Sequence, residues 1–380
     1  MRLLTSTLMI ALMAGTVAVA RAQTDGDVER IVSRHVNAIL PANGAGGAAV
    51  ALRIEGRTIF FNYGWADHAN ERLVTADTLF NLGSLRKVFE ATVLARAVQG
   101  GALSLDQPVA DLVIELKQGG DIRRITIGQL ATQTSGLILP QDHPPWPDQG
   151  YTLPEFLRTL NEWAADFDHE PGGQQIYTHA GYVLLALALE RRLGQPMAEL
   201  IDDAILRPLD MRSTTLPRRD DSDRGQLSPE HKRRAVQGYS EDGDLIGEPG
   251  DQQGYYHWPG TSQMYSSPRD LAVFLAANMG ELAIEPELRA AMDFARDGVF
   301  AMSPHNVQAL AWEISHGDDE PTIVEKYGGL NNAAAYIGLI PGRMLGIVIL
   351  TNRGNQYPNE AGRRIMLELA GHDPATMDGR

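Results

Sequence analysis

The chain has no cysteine, and its basic residues are scarce relative to its acidic ones. The missing cysteine excludes disulfide bonds, thiolate metal ligands and a cysteine nucleophile. There are 33 lysines and arginines against 48 aspartates and glutamates, which gives a formal net charge of −15. This excess of negative charge opposes nucleic-acid binding over the whole surface, and an anionic ligand would need a local cationic site.

Long hydrophobic runs are missing after the first 22 residues. Within that segment Arg2 supplies a positive charge, residues 3–20 are mostly apolar, and Ala20-Arg21-Ala22 fits a cleavage site between small residues. We interpret residues 1–22 as a secretory signal peptide and expect export to the periplasm without a stable membrane anchor. No later segment is apolar enough to span a bilayer.

The remaining sequence has an ordinary globular composition, with 43% hydrophobic and 21% charged residues. Its 380 positions are enough for one large or two moderate domains. Strand-like segments at 48–54 and 57–64 predict a β-hairpin near the N-terminus. Two more, at 333–339 and 345–352, lie near the other end. We therefore expect an α/β chain of the α+β type, with an antiparallel sheet formed from both chain ends and flanked by helices.

Helices are predicted mostly between these ends. Their patterns cover residues 87–99, 127–133, 153–165, 181–193, 268–278 and 363–369. We place a sheet domain at residues 23–83 and 280–380, and an inserted, mainly helical region at 84–279. Residues 208–261 are polar and rich in glycine, proline and aspartate, and we expect them to form one long surface loop.

The most informative short motif is Ser84-Leu85-Arg86-Lys87. At helical spacing, Ser84 and Lys87 lie on one face, one turn apart, so that a hydroxyl stands beside an amine. Such a pair suits serine acyl-transfer chemistry, which needs a nucleophile beside a proton acceptor. Taken alone, the motif is more typical of a serine N-cap followed by a solvated lysine.

Two further motifs follow in the chain, Tyr177-Thr178-His179 before an apolar helix and Lys326-Tyr327-Gly328-Gly329 before a strand. The three together, in this order, resemble the serine β-lactamase and penicillin-binding protein family, nearest to the class C (AmpC-like) β-lactamases. The flanking segments 101–109 and 346–352 are also similar to those of the family. The resemblance implies a fold of the β-lactamase and transpeptidase type.

The resemblance also implies a role for each motif residue. Ser84 would be the nucleophile and Lys87 its base, while Tyr177 would protonate the leaving nitrogen and later help a water attack the acyl-enzyme. The backbone N–H groups of Ser84 and Gly329 would form the oxyanion hole. Lys326 would attract the substrate carboxylate, and its charge would favour a phenolate at Tyr177.

Two positions depart from the family pattern. His179 stands where the family usually has asparagine, and Tyr327 stands where threonine is usual. Both are expected to contact substrate, and they suggest a shifted spectrum, with carbapenems as one direction. Gln141 and Asn359 are further candidates for substrate binding, by their resemblance to family positions.

No cofactor is expected. A divalent metal at His179 is the alternative, because neutral imidazole is a metal ligand, but no H-x-x-x-H or similar spacing supports it. The other histidines that could approach are His143, His169 and His257. We expect a monomer that binds a β-lactam or a peptidoglycan-like small molecule.

The sequence thus predicts a periplasmic serine β-lactamase that opens the β-lactam amide through a Ser84 acyl-enzyme. One alternative is a D-alanyl-D-alanine carboxypeptidase or an esterase with the same nucleophile. Another, from a different class, is a catalytically silent penicillin-binding sensor, which the two altered motifs motivate.

Overall fold

The two ends of the chain meet in one antiparallel sheet. The computed structural model describes residues 24–137, 152–217, 227–250, 264–317 and 320–373, so the predicted signal peptide lies outside the described residues. The strands are β1 (Gly47–Ile54), β2 (Arg57–Asp67), β3 (Arg72–Leu73), β4 (Phe80–Asn81), β5 (Gly238–Tyr239), β6 (Leu245–Ile246), β7 (Tyr265–Ser266), β8 (Phe300–Ser303), β9 (Asn306–Gln308), β10 (Glu313–Ser315), β11 (Ile323–Leu330), β12 (Ala333–Ile340) and β13 (Leu345–Thr351).

Nine of these strands form the main sheet, in the order β3-β2-β1-β13-β12-β11-β10-β9-β8. Strand β1 pairs with β13, with Ala48 opposite Thr351 and Ile54 opposite Leu345. The predicted hairpin is formed by β1 and β2. The predicted α+β fold, with an antiparallel sheet built from both chain ends, is confirmed.

Helices cover the sheet and fill the middle of the chain. They are α1 (Asp25–Ile39), α2 (Lys87–Gln99), α3 (Ile127–Ala131), α4 (Leu153–Glu162), α5 (His179–Leu193), α6 (Met197–Ile201), α7 (Pro229–Arg234), α8 (Pro268–Asn278), α9 (Pro286–Ala295) and α10 (Pro358–Leu369). No helix among the described residues has the length and apolar character that a bilayer crossing requires.

Both faces of the central strands are buried. Ala48 and Val50 of β1 belong to a core shared with α1 and α10. Ala49 and Ala51 point into the larger core that contains α8 and the helical region. Because helices cover both faces, alternation of polar and apolar residues is weak in β1, as in buried strands generally.

Helix α2 runs through the centre of the larger core. Ten of its 13 residues are buried, including two charged ones, Lys87 and Glu90. Phe89 stacks on Phe274 of α8 with ring centroids 4.2 Å apart. A helix surrounded in this way is held by tertiary packing on every side, which fixes the position of the residues at its N-terminus.

Several predicted boundaries differ by a few residues. The helices predicted at 127–133 and 153–165 end at Ala131 and Glu162. The last helix begins at Pro358 instead of residue 363, since proline fits the first turn, where no intrahelical N–H bond is lost.

The described part of residues 208–261 is not simply a surface loop. It contains α7, β5 and β6, and it buries Leu227 and Ala235 against Leu79 and Tyr265. Composition alone missed this because a polar segment needs only a few apolar anchors to pack. The domain boundaries proposed from the sequence stay predictions.

Candidate active site

Ser84 lies in a single 3-10 turn, Gly83–Arg86, that leads directly into α2. Gly83 has a φ of +50°, a conformation that favours glycine. Strand β11 packs tightly against this turn: a Cβ on Gly328 would lie 2.2 Å from the carbonyl oxygen of Leu82. A Cβ on Gly83 would lie 3.2 Å from the amide nitrogen of Gly329. The glycines therefore bring the Gly329 amide beside the turn that carries Ser84, as the predicted oxyanion hole requires.

Three predicted catalytic side chains meet at this turn. The Lys87 ammonium nitrogen Nζ lies 3.0 Å from Ser84 Oγ and 2.8 Å from Tyr177 Oη. The hydroxyls of Ser84 and Tyr177 also hydrogen-bond to each other. Lys87 is only 2% exposed. The three groups form a closed triangle through which a proton can move from the serine to the amine or the phenol.

The surroundings shift the pKa values of both proton acceptors downwards. Burial is the largest effect on Lys87 and lowers the pKa of its ammonium, against the opposing attraction of the Tyr177 phenol. For Tyr177, desolvation acts to raise the pKa, but the cations of Lys87 and Lys326 outweigh it and the pKa of the phenol is lowered. Both shifts make a proton acceptor available at lower pH than in water.

Gln133, which sequence reasoning missed, holds the segment that carries Tyr177. Its backbone carbonyl accepts from the Ile176 amide at 2.7 Å. Its side-chain Oε1 accepts from the Thr178 amide at 2.9 Å, immediately before α5 begins. Gln133 has a φ of +58°. Its identity carried no motif signal, because the role depends on a fold that brings residue 133 beside residue 178.

Lys326 lies on β11 with its ammonium nitrogen 5.9 Å from the centroid of the Tyr177 ring. Its side chain is 5% exposed, which argues against a solvated strand-edge lysine. The ammonium donates to Glu313 Oε1 of β10 at 2.8 Å. Glu313 was not predicted, since the pairing of the short strand β10 with β11 leaves no sequence pattern.

A cleft of about 410 Å³ opens beside Ser84. The predicted residues that line it are Ser84, Tyr177, His179, Lys326, Tyr327, Gly329 and Asn359. The Tyr327 hydroxyl lies against Gly329, two residues further along β11: a Cβ on Gly329 would lie 2.5 Å from Tyr327 Oη. The Tyr327 hydroxyl donates to the Gln356 carbonyl at 3.4 Å. The ring thus narrows the side of the cleft between β11 and the start of α10.

Asn359 contributes a buried side-chain oxygen, Oδ1, that has no hydrogen-bond partner among the described residues. A buried acceptor without a donor is costly, which suits a group that completes its bonds when a ligand is bound. Gln141 lies outside the described residues, so its place is not tested.

A second ion pair, between the partly exposed Arg363 and the buried Glu325, lines the cleft and was also missed. The Arg363 guanidinium Nε donates to both carboxylate oxygens of Glu325, at 3.0 and 2.8 Å. The Tyr336 hydroxyl donates to Glu325 Oε2 at 2.6 Å. Each cation lining this cleft, in the part of the chain that the structure describes, is therefore already paired with a carboxylate.

His179 starts α5 and packs edge-to-face on Tyr177, with ring centroids 5.6 Å apart. Burial, together with the nearby cations Lys87 and Arg86, lowers the pKa of its imidazole to about 3. The imidazole therefore stays neutral well below the pH at which a histidine in solution takes up a proton, because burial and the neighbouring cations disfavour its charged form.

The described residues include no group of three or more histidine, aspartate or glutamate side chains that could hold a metal ion. His169 pairs instead with Asp166, Nδ1 to Oδ1 at 2.6 Å. His143 and His257 lie outside the described residues. A metal at His179 stays untested.

The sequence and the fold are similar to those of known proteins. A family model described as Beta-lactamase matches residues 28–370. A β-lactamase of Pseudomonas fluorescens is 25% identical over 366 residues, covering 88% of this chain and 95% of that protein. A solved class C β-lactamase of Rhodobacter sphaeroides has a TM-score of 0.75 and 26% identity, covering 90% of this chain and 99% of the other.

The fold is also similar to that of a D-alanine carboxypeptidase, AmpC, of Burkholderia cenocepacia. That structure has a TM-score of 0.76 at 22% identity and covers 91% of this chain and 100% of its own. The same fold therefore occurs in a protein named as a β-lactamase and in one named as a D-alanine carboxypeptidase.

Proposed function

The chain belongs to the beta-lactamase family, and from that premise we propose that it opens the β-lactam amide through a covalent acyl-enzyme on Ser84. The observation that carries the proposal is the closed triangle of Ser84, Lys87 and Tyr177, with two contacts of 3.0 and 2.8 Å to a buried amine. A serine hydroxyl is a weak nucleophile at its ordinary pKa and needs such an adjacent base.

In the acylation step, Ser84 Oγ attacks the lactam carbonyl carbon while its proton passes to Lys87 or Tyr177. The carbonyl oxygen becomes an oxyanion, and the amides of Ser84 and Gly329 are placed to donate to it. The C–N bond then breaks, and the Tyr177 hydroxyl delivers a proton to the leaving nitrogen. The product is an ester between the opened lactam and Ser84.

In the deacylation step, a water attacks the ester carbonyl from the cleft. Tyr177 accepts a proton from that water, because the neighbouring cations lower the pKa of its phenol. The Ser84 oxygen leaves and recovers its proton from Lys87. This step returns the triangle to its starting state and completes a hydrolysis.

We further propose that the enzyme works in the periplasm. The apolar, cleavable pattern of residues 1–22 supports export. The curated relatives that it matches are bacterial β-lactamases.

A shifted substrate spectrum is part of the proposal. Tyr327 fills space that the family's smaller threonine leaves open, and His179 offers an imidazole in place of an amide. Steady-state rates on penicillins, cephalosporins and carbapenems test this, and an ordinary cephalosporinase profile would remove its basis.

The second candidate is a D-alanyl-D-alanine carboxypeptidase or an esterase. The paired cations of the cleft favour the esterase, because Lys326 and Arg363 are already compensated by Glu313 and Glu325. A D-alanyl-D-alanine peptide carries a carboxylate, as a β-lactam does, so the pairing does not separate these two substrates. The lifetime of a penicillin adduct decides between the two. Intact mass should return to that of the free enzyme within seconds for a lactamase, whereas an adduct that persists for many minutes indicates a carboxypeptidase. A silent sensor would give no product burst.

A further inference from the structure

A fully buried ion pair lies directly beside the catalytic amine. The Arg86 guanidinium Nη1 donates to Glu90 Oε1, and the two side chains are 3% and 1% exposed. Arg86 belongs to the turn that carries Ser84, and Glu90 lies one turn further along α2. Removing two charges from water often costs as much as their attraction returns, and apolar residues of similar size commonly give equal or greater stability. Stability alone therefore gives no reason for charges at this place.

Both charges are close neighbours of Lys87 along the chain. Arg86 precedes Lys87 directly, and Glu90 follows it by three residues, which is the spacing of neighbours on one helix face. Both charges act on the amine. Burial lowers the pKa of Lys87 most, Arg86 lowers it further, and Glu90 acts in the opposite direction with a smaller effect. Arg86 also contributes to the low pKa of His179, which places its charge next to the site.

Among the residues that the structure describes, few other ionisable groups lie around Lys87. From α5 and the segment before it come Tyr177, His179 and Tyr182, and from β11 and β10 come Lys326 and its partner Glu313. His179 is neutral across working pH. Burial raises the pKa of Tyr182 well above its ordinary value, and its hydroxyl donates to the Ala131 carbonyl. The fixed charges nearest the amine on its own helix are therefore Arg86 and Glu90.

The Glu90 carboxylate is only partly hydrogen-bonded among the described residues. Its second oxygen, Oε2, is buried and has no hydrogen-bond partner among the described residues. Burial raises the pKa of its carboxyl, against the pull of Arg86 and Lys87.

We propose that Arg86 and Glu90 are positioning residues for acyl transfer, in which the buried guanidinium disfavours a proton on Lys87 and the carboxylate fixes that guanidinium in place and limits its effect. The inference rests on the proposed function, since it concerns the base of that same reaction. It assigns the charged pair to the tuning of the Lys87–Tyr177 proton acceptor, a task that an apolar pair cannot perform.

The test is the pH dependence of acylation by a penicillin in Arg86→Gln, Glu90→Gln and the double variant. Without Arg86, the acidic limb of the rate profile should move to higher pH, by about one unit or more, because a neighbouring buried cation is removed. Without Glu90, it should move to lower pH. The acidic limb of the double variant should lie between those of the two single variants and within about half a pH unit of the wild-type limb.

Two controls separate tuning from general damage. Arg86→Lys keeps the charge and should restore the wild-type limb. Arg53→Gln breaks a remote, largely buried pair with Glu281, whose side chains are 15% and 9% exposed, and should leave the limb unmoved. Thermal melting of each variant establishes that it is folded. If Arg86→Gln does not fold, Glu90→Gln and Arg86→Lys carry the test.

The proposal is overturned if the folded single variants keep the acidic limb at its wild-type pH while their acylation rates change. It is also overturned if both substitutions move the limb in the same direction. A wild-type enzyme that forms no acyl-enzyme at any pH would instead remove the proposed function. The two failures are therefore distinguishable in one set of measurements.

Discussion

The ammonium of Lys326 lies 2.8 Å from the carboxylate of Glu313, inside the cleft that opens beside the nucleophile. The lysine that sequence reasoning assigned to the substrate carboxylate is thus paired before any substrate arrives. A substrate carboxylate has to compete with this carboxylate, and the competition should appear in KM.

Glu313→Gln should therefore raise the catalytic efficiency on substrates that carry a carboxylate. We expect kcat/KM for a chromogenic cephalosporin to rise by about threefold or more, mainly through KM, because a competing charge is worth on the order of 1 kcal/mol when partly exposed. The methyl ester of the same cephalosporin should gain nothing. Glu115→Gln, which breaks a remote surface pair with Arg191, serves as the matched control. Equal gains on acid and ester would show that charge competition is not the cause.

Gly328→Ala should damage the site by displacing β11 from the nucleophile turn. Its Cβ would lie 2.2 Å from the Leu82 carbonyl oxygen and 2.5 Å from the Leu85 amide nitrogen, both backbone atoms. We expect acylation to fall by about 100-fold, the size of effect seen when one oxyanion donor is lost. In Gly26→Ala the nearest atom is 3.9 Å away, so rate and melting temperature should be kept. A fully active Gly328→Ala enzyme would contradict the assigned packing.

His179 should make the fold sensitive to acid. Its pKa in the folded protein is about 3, against an ordinary value of 6.5. The unfolded chain therefore binds a proton that the folded chain does not, and stability falls as pH drops from about 6.5 towards 3.

His179→Asn should remove this loss of stability at acid pH. Between pH 7.5 and 4.5 the wild type should lose about 2–3 kcal/mol more unfolding free energy than the variant, as measured by urea unfolding. Parallel losses in both proteins would mean that the imidazole is not held neutral. The pH profile of acylation should show no ionisation from residue 179 in either protein.

Chelators should leave turnover unchanged. The reaction as derived uses the serine, the amine and the phenol alone, each in contact with the other two. Prolonged treatment with EDTA, followed by assay in metal-free buffer, is the measurement. Loss of activity that zinc restores would favour the alternative of a metal at His179.

The sequence was sufficient for the parts of the site that lie within short motifs. Ser84 and Lys87 are one helical turn apart, so any helix at this place brings them together. Tyr177 and Lys326 followed instead from the resemblance of the three motifs to the family. The sheet from both ends followed from strand patterns at 48–64 and 333–352. The Ser84–Lys87 pair and the strands depend on local spacing, which a single sequence displays directly.

What could not be predicted depends on long-range packing. Glu313 reaches Lys326 only because β10 pairs with β11. Gln133 supports Tyr177 across more than 40 residues. The low pKa of His179 and the burial of Arg86 and Glu90 require knowledge of what surrounds them. None of these leaves a periodic or spaced pattern in the chain.

The most direct test of the central claim is to locate the acyl group after the enzyme is mixed with a penicillin and rapidly quenched in acid. Peptide mapping by mass spectrometry should find the opened lactam on Ser84 in the wild type and no adduct in Ser84→Ala. An adduct on another residue, or product formation by Ser84→Ala at the wild-type rate, would contradict covalent catalysis by this serine.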